Sequence, residues 1–98
     1  MPGPQRYSHD HRDNNEDPLI QLAERLGACM RKGPPLDWWA WVPRRAMWVP
    51  VEVKDPKREG HADEFTPQQV QFRAWCDRNH APHWVWRTPE DVIRDLQG

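Results

Sequence analysis

Apolar positions along the chain follow two periods. Leu19, Leu22, Ala23 and Leu26 recur at three- and four-residue steps behind Asp17-Pro18, which reads as an N-cap with proline at the first helical position. Gly27 suits the C-terminal stop of that helix. Residues 28–32 suit a short strand ahead of the breaker Gly33-Pro34-Pro35. Two alternating runs follow, 36–42 and 46–54, separated by Pro43-Arg44-Arg45. In the second, WVPVEVKD at 48–55, Val49, Val51 and Val53 fall on one face, and Trp48, Pro50, Glu52 and Lys54 fall on the other. Thr66-Pro67-Gln68-Gln69 is a capping box that opens a second helix running to around Asn79, with Val70, Phe72, Ala74, Trp75 and Cys76 as its apolar residues. A last strand at 83–87 puts Trp84 and Trp86 on one face. Thr88-Pro89-Glu90-Asp91 repeats the cap and opens a third helix carrying Val92, Ile93 and Leu96. The order α-β-β-β-α-β-α predicts an α/β domain with a small mixed β-sheet flanked by helices over 16–98. Residues 1–15 are polar and aperiodic and read as a flexible tail, and the charged loop 55–64 offers the core nothing.

Composition narrows this picture only at a few points. Ninety-eight residues make one domain with a single core. The N-terminus has no apolar stretch of the kind that directs secretion, and no run is long enough to span a bilayer, so a cytoplasmic, soluble chain is expected. Fourteen basic against fifteen acidic side chains give a net charge of −1, which is not the profile of a protein that holds nucleic acid by charge alone. Bound divalent cations would change that local balance. Cys29 and Cys76 form no CxxC pair and read as small buried hydrophobes. None of the five histidines has metal-ligand spacing, which argues against zinc. Seven tryptophans are many for this length, and Trp38, Trp39, Trp41, Trp48, Trp84 and Trp86 are distributed to both sheet faces. Some fill the core; the others suit a subunit interface or the stacking of bases.

The candidate chemistry lies in the two central strands. With the hairpin loop centred on Arg44-Arg45, Asp37 falls opposite Glu52, where Cβ atoms lie roughly 5 Å apart. A turn with Pro43 at its second position shifts the register by two and makes them diagonal neighbours. Either way the carboxylates share a face and repel each other unless something positive lies between them. Two such carboxylates can hold Mg²⁺ or Mn²⁺, and Lys54, on the same face, can lower the pKa of an attacking water or stabilise the charge on a phosphate. The same residues also fit a solvated surface pair of little energetic weight. The basic pairs Arg31-Lys32, Arg44-Arg45 and Lys57-Arg58 keep a surface soluble, or track a phosphate backbone if they gather at the site, and Arg87 is open to the same two uses.

ProLeuAsp at 35–37 followed by GluValLys at 52–54 resembles the PD-(D/E)xK nuclease superfamily, with Leu36 as an insertion between proline and aspartate. RDNNEDPLIQLAERLGA at 12–28, TPQQVQF at 66–72 and WRTPED at 86–91 resemble, in order, segments of small phage-type VRR nucleases, so the likeness covers 12–96. The resemblance implies a restriction-endonuclease-like core and a phage-encoded, structure-selective deoxyribonuclease dependent on Mg²⁺ or Mn²⁺. It also implies in-line hydrolysis of DNA phosphodiesters, with RNA as the other polynucleotide that such chemistry serves. It assigns metal ligation to Asp37, Glu52 and the Val53 carbonyl, and the catalytic lysine to Lys54. Gln69 takes the place of the family's helix glutamine near the site, while completing a capping box in its own right. Glu16 takes the place of an additional polar residue from the first helix, where relatives carry Gln or His. Stand-alone relatives imply a homodimer, in the host cytoplasm, with no membrane and no organic cofactor. The alternative is a catalytically inactive nuclease-fold module that binds DNA or a protein partner.

Overall fold

The computed structural model describes residues 16–98, so the expected tail at 1–15 lies outside the described residues. Within them the order is α1 (Glu16–Arg25), β1 (Cys29–Lys32), β2 (Trp38–Val42), β3 (Met47–Val53), a 3-10 turn (Pro56–Arg58), α2 (Pro67–Arg78), β4 (Trp84–Trp86) and α3 (Pro89–Gln97). This is the α-β-β-β-α-β-α order that the apolar periods predict. The four strands form one mixed sheet in the order β1-β2-β3-β4. The first three run antiparallel, and β4 joins β3 in parallel after the crossover through α2. No helix among the described residues is long and apolar enough to cross a membrane.

Local signals position the helices. Gly27 adopts φ 103°, a left-handed conformation that favours glycine, and ends α1 as expected. Thr66 and Gln69 cap α2 reciprocally, and Thr88 and Asp91 do the same for α3. Asp17 differs from expectation: it sits inside the first turn of α1 and does not cap it, where its charge still favours the positive end of the helix dipole.

One face of the sheet carries the core. Met30, Ala40, Val42, Val49, Val51, Val53 and Trp86 pack beneath Leu19, Ile20 and Ala23 of α1 and Val92 and Leu96 of α3. Trp86 is fully buried, and its indole N–H donates to Asp95 Oδ2 at 3.0 Å, so no polar group is left orphaned there. Tryptophans do reach both faces: Trp38, Trp84 and Trp86 lie on the core side, and Trp39, Trp41 and Trp48 on the other. The apolar residues expected to bury α2 mostly do not. Only Cys76 is buried, whereas Val70 and Trp75 are 52% and 49% exposed. Gln69, Arg73 and Cys76 recur at helical spacing and face the domain instead, so the inward stripe of α2 is largely polar. Loop 55–64 also departs from expectation, because Glu64 is buried.

Candidate active site

The β2–β3 hairpin brings the two carboxylates together. Its turn is closed by the Arg45 and Ala46 N–H groups, both donating to the Val42 carbonyl. This is the register centred on Arg44-Arg45: Trp38 pairs with Val51, and one step further Asp37 meets Glu52. The Asp37 N–H donates to Glu52 Oε1 at 3.0 Å, and the Val53 N–H donates to Asp37 Oδ2 at 3.4 Å. Each carboxylate is thus tied to the backbone of the other strand. Such mutual attachment holds two like charges at a fixed distance in spite of their repulsion.

Lys54 and Gln69 complete the cluster. Lys54 Nζ lies 2.9 Å from Glu52 Oε2, and Gln69 Nε2 donates to that oxygen at 2.7 Å. Gln69 Oε1 in turn accepts from Lys54 Nζ at 3.3 Å and from the Thr66 N–H at 3.0 Å. One glutamine therefore serves as helix cap and as bridge between acid and amine, and the two roles do not compete. The Phe65 ring lies 5.2 Å from Lys54 Nζ and 4.1 Å from the Arg73 guanidinium, so both cations meet one aromatic face.

Glu52 is the deeply buried acid of this cluster. Its side chain is 1% exposed, and burial pushes its carboxyl up to about 7. The Lys54 hydrogen bond pulls it back down, while the neighbouring Asp37 raises it further. Two acids are set against one amine in a water-poor setting, so the cluster is short of positive charge.

The remaining candidates are dispersed. Glu16 Oε2 accepts from the Trp38 indole at 2.6 Å and from Lys32 Nζ at 3.1 Å. Trp38 alternates with Asp37, so these contacts lie on the opposite face of the sheet. Arg44 and Arg45 sit at the far end of the hairpin from Glu52, where Arg44 donates to the Gly98 carbonyl at 2.9 Å and Arg45 lies 5.7 Å from the Trp84 ring. Lys57 and Arg58 follow Lys54 in the 3-10 turn, and Arg58 pairs with Asp63. Arg87 is committed to Glu64 by a two-pronged contact, Nε to Oε2 at 2.9 Å and Nη2 to Oε1 at 3.0 Å, with Glu59 nearby at 3.8 Å. Sequence reasoning missed Glu64 and Phe65 altogether. Glu64 ends the charged loop and Phe65 follows it, and neither belongs to a periodic pattern that would have marked it as facing the domain.

Comparison with models of known protein families, with curated proteins and with solved structures returns no match. Among the described residues no group of three or more His, Cys, Asp or Glu side chains is arranged to hold a metal, so Glu16 does not extend the Asp37–Glu52 pair into a three-carboxylate set. Two carboxylates with a backbone carbonyl still fit Mg²⁺ or Mn²⁺, because these ions retain several waters and need few protein ligands. The deficit of positive charge around Glu52 is the feature that suits a cation.

Proposed function

We propose that the protein is a divalent-metal-dependent nuclease that hydrolyses phosphodiester bonds, with DNA as substrate. One observation carries this reading: Glu52 is buried against Asp37 and touches Lys54 at 2.9 Å, an arrangement that is costly to bury and that apolar side chains often replace without loss of stability. Asp37, Glu52 and the Val53 carbonyl are the groups that would hold Mg²⁺ or Mn²⁺. When bound, such a cation offsets phosphate charge and makes water a better nucleophile near neutral pH.

The chain's own residues do the rest. Lys54 presents a positive charge at the edge of the acid pair, where it can neutralise a phosphate oxygen as charge develops there. Gln69 holds that amine and Glu52 in fixed relation, which limits the reorganisation needed when the substrate arrives. Burial of Glu52 keeps water from its carboxyl, which strengthens these charge interactions. The homodimer and the preference for nucleic-acid structure over base sequence belong to the same proposal and come from the family resemblance. A phage origin is part of it too.

The test is cleavage of labelled duplex, single-stranded, flap and four-way-junction DNA with Mg²⁺, Mn²⁺ or EDTA. Metal-dependent products are expected, with losses of roughly a hundredfold or more in Glu52→Gln and in Lys54→Ala. Mg²⁺ or Mn²⁺ is also expected to raise the melting temperature by binding the native state, and Asp37→Asn to abolish that rise. Wild type and variants that behave alike in both assays would refute the catalytic reading. Metal-independent DNA binding without cleavage would instead favour an inactive nuclease-fold module.

A further inference from the structure

The face that carries Asp37 and Glu52 continues along the same two strands. At two-residue steps the next opposed pair is Trp39 with Pro50, and the one after it is Trp41 with Trp48. Trp39 is occupied locally, donating its indole N–H to the Pro34 carbonyl at 2.8 Å. The outer pair is open. The Trp41 and Trp48 rings are 5.5 Å apart and inclined at 57°, and Trp48 is 45% exposed. Together with Cys29 and Arg31 of β1 they line a shallow groove of about 440 Å³, within the size range of small-molecule sites. Among the described residues α1 and α3 cover the opposite face, and α2 meets this one through Gln69 at the Glu52 end.

Aromatic faces bordered by a guanidinium are the combination that holds unpaired nucleotides, since every base has a π-face to stack and every phosphate a charge to meet. The groove lies two steps of two residues from the acid pair, roughly 13 Å along the strands at the usual rise per residue. A short run of nucleotides can bridge that gap. We propose that the Trp41–Trp48 groove is a base-stacking platform for a single-stranded segment whose backbone reaches Asp37 and Glu52, with Arg31 contacting a phosphate. The substrate class would then be single-stranded nucleic acid, or a duplex with an unpaired tail. This rests on the reading of Asp37, Glu52 and Lys54 as a phosphodiester-hydrolysing site.

Binding is measured first in EDTA, on the full chain, by anisotropy of a labelled oligothymidine and of a duplex of equal length. Single strand should bind more tightly than duplex and should quench tryptophan emission. Trp48→Ala and Trp41→Ala should each weaken binding by roughly ten- to a hundredfold, with Trp48→Phe retaining most of it. Because Trp48 is exposed, its replacements should fold, and circular dichroism checks this. Equal affinity of wild type and both alanine variants, or tighter binding of duplex, would overturn the platform. So would a Trp48→Ala variant that changes the sedimenting mass and leaves oligonucleotide affinity intact, which would give the groove to a second copy of the chain. Cleavage in Mg²⁺ separates the two ideas. Products from wild type and Trp48→Ala at equal rates on a tailed duplex would overturn the platform and leave the hydrolytic site standing. Trp48-dependent binding with no cleavage of any substrate would keep the platform and remove the site.

Discussion

Two buried glutamates make opposite use of their basic neighbours. Glu64 meets the Arg87 guanidinium through both oxygens and also accepts from the Gly60 N–H at 3.4 Å. Its hydrogen bond to Arg87 holds its carboxyl below the usual range. Glu52 meets a single amine, shares it with Gln69, and faces a second acid. Its carboxyl is pushed up to about 7, first by burial. The charge at Glu64 is matched in number and geometry, as expected of a residue that fastens the loop before α2 to the end of β4. Glu52 is buried without such a match. Under the proposed function, this imbalance is what a bound cation would relieve.

Arg87 is the matched cation, and its removal has the largest expected effect. Arg87→Ala leaves Glu64 buried without its fork, and we expect a loss of about 3 kcal/mol in urea unfolding. Removing both partners, Arg87→Ala with Glu64→Ala, should recover much of that loss, because the penalty comes from the orphaned charge. A double variant no more stable than Arg87→Ala alone would show that packing, not charge, fastens this loop.

A pH series in EDTA sharpens the contrast, since the two glutamates should bend the stability curve in opposite directions. For Glu52 the folded value, about 7, lies above the ordinary 4.5, so its contribution is full below pH 4.5 and is lost as pH rises through 7. The loss should be on the order of 3 kcal/mol, and Glu52→Gln should flatten it. For Glu64 the folded value is lowered, so its contribution is present above pH 4.5 and is lost on acidification. Mg²⁺ should oppose the decline toward neutral pH in wild type and not in Glu52→Gln. A flat wild-type curve between pH 4.5 and 7 would remove the premise that Glu52 is held against its charge.

The candidate cluster could be anticipated from the sequence because its parts obey short-range rules. Strand alternation puts Asp37, Glu52 and Lys54 on one face in either hairpin register, and the capping box locates Gln69, while the choice of the opposed register came from the structure. What could not be read depends on contacts between distant segments. Glu64 and Arg87 are 23 residues apart, and Glu16 and Trp38 are 22 apart. No local pattern ties such pairs, so Glu64 looked like one more charge in a charged loop, and Arg87 stayed open between a solvated strand end and a phosphate contact. The exposure of Val70 and Trp75 was equally hidden. Apolar character usually marks the buried stripe of a helix, yet α2 turns Gln69, Arg73 and Cys76 inward, because the sheet face it meets carries Glu52 and Lys54.

The smallest effect separates the two roles of Gln69. Thr66 Oγ1 accepts from the Gln69 N–H at 3.2 Å, so Thr66→Ala removes half the capping box and should cost about 1 kcal/mol of stability. Gln69→Ala removes the other half at a similar cost, and also the bonds to Glu52 and Lys54. If Gln69 only caps α2, the two variants should match in stability, in cleavage and in pH profile. If it positions the acid and the amine, Gln69→Ala alone should slow cleavage. It should also raise the pH at which Glu52 ionises, because the lost Nε2–H donor favours the charged carboxylate. Thr66→Ser, which keeps the hydroxyl, should restore the cap and leave this difference untouched. The midpoint shift decides the matter, since a cap acting through helix stability alone has no means of moving it.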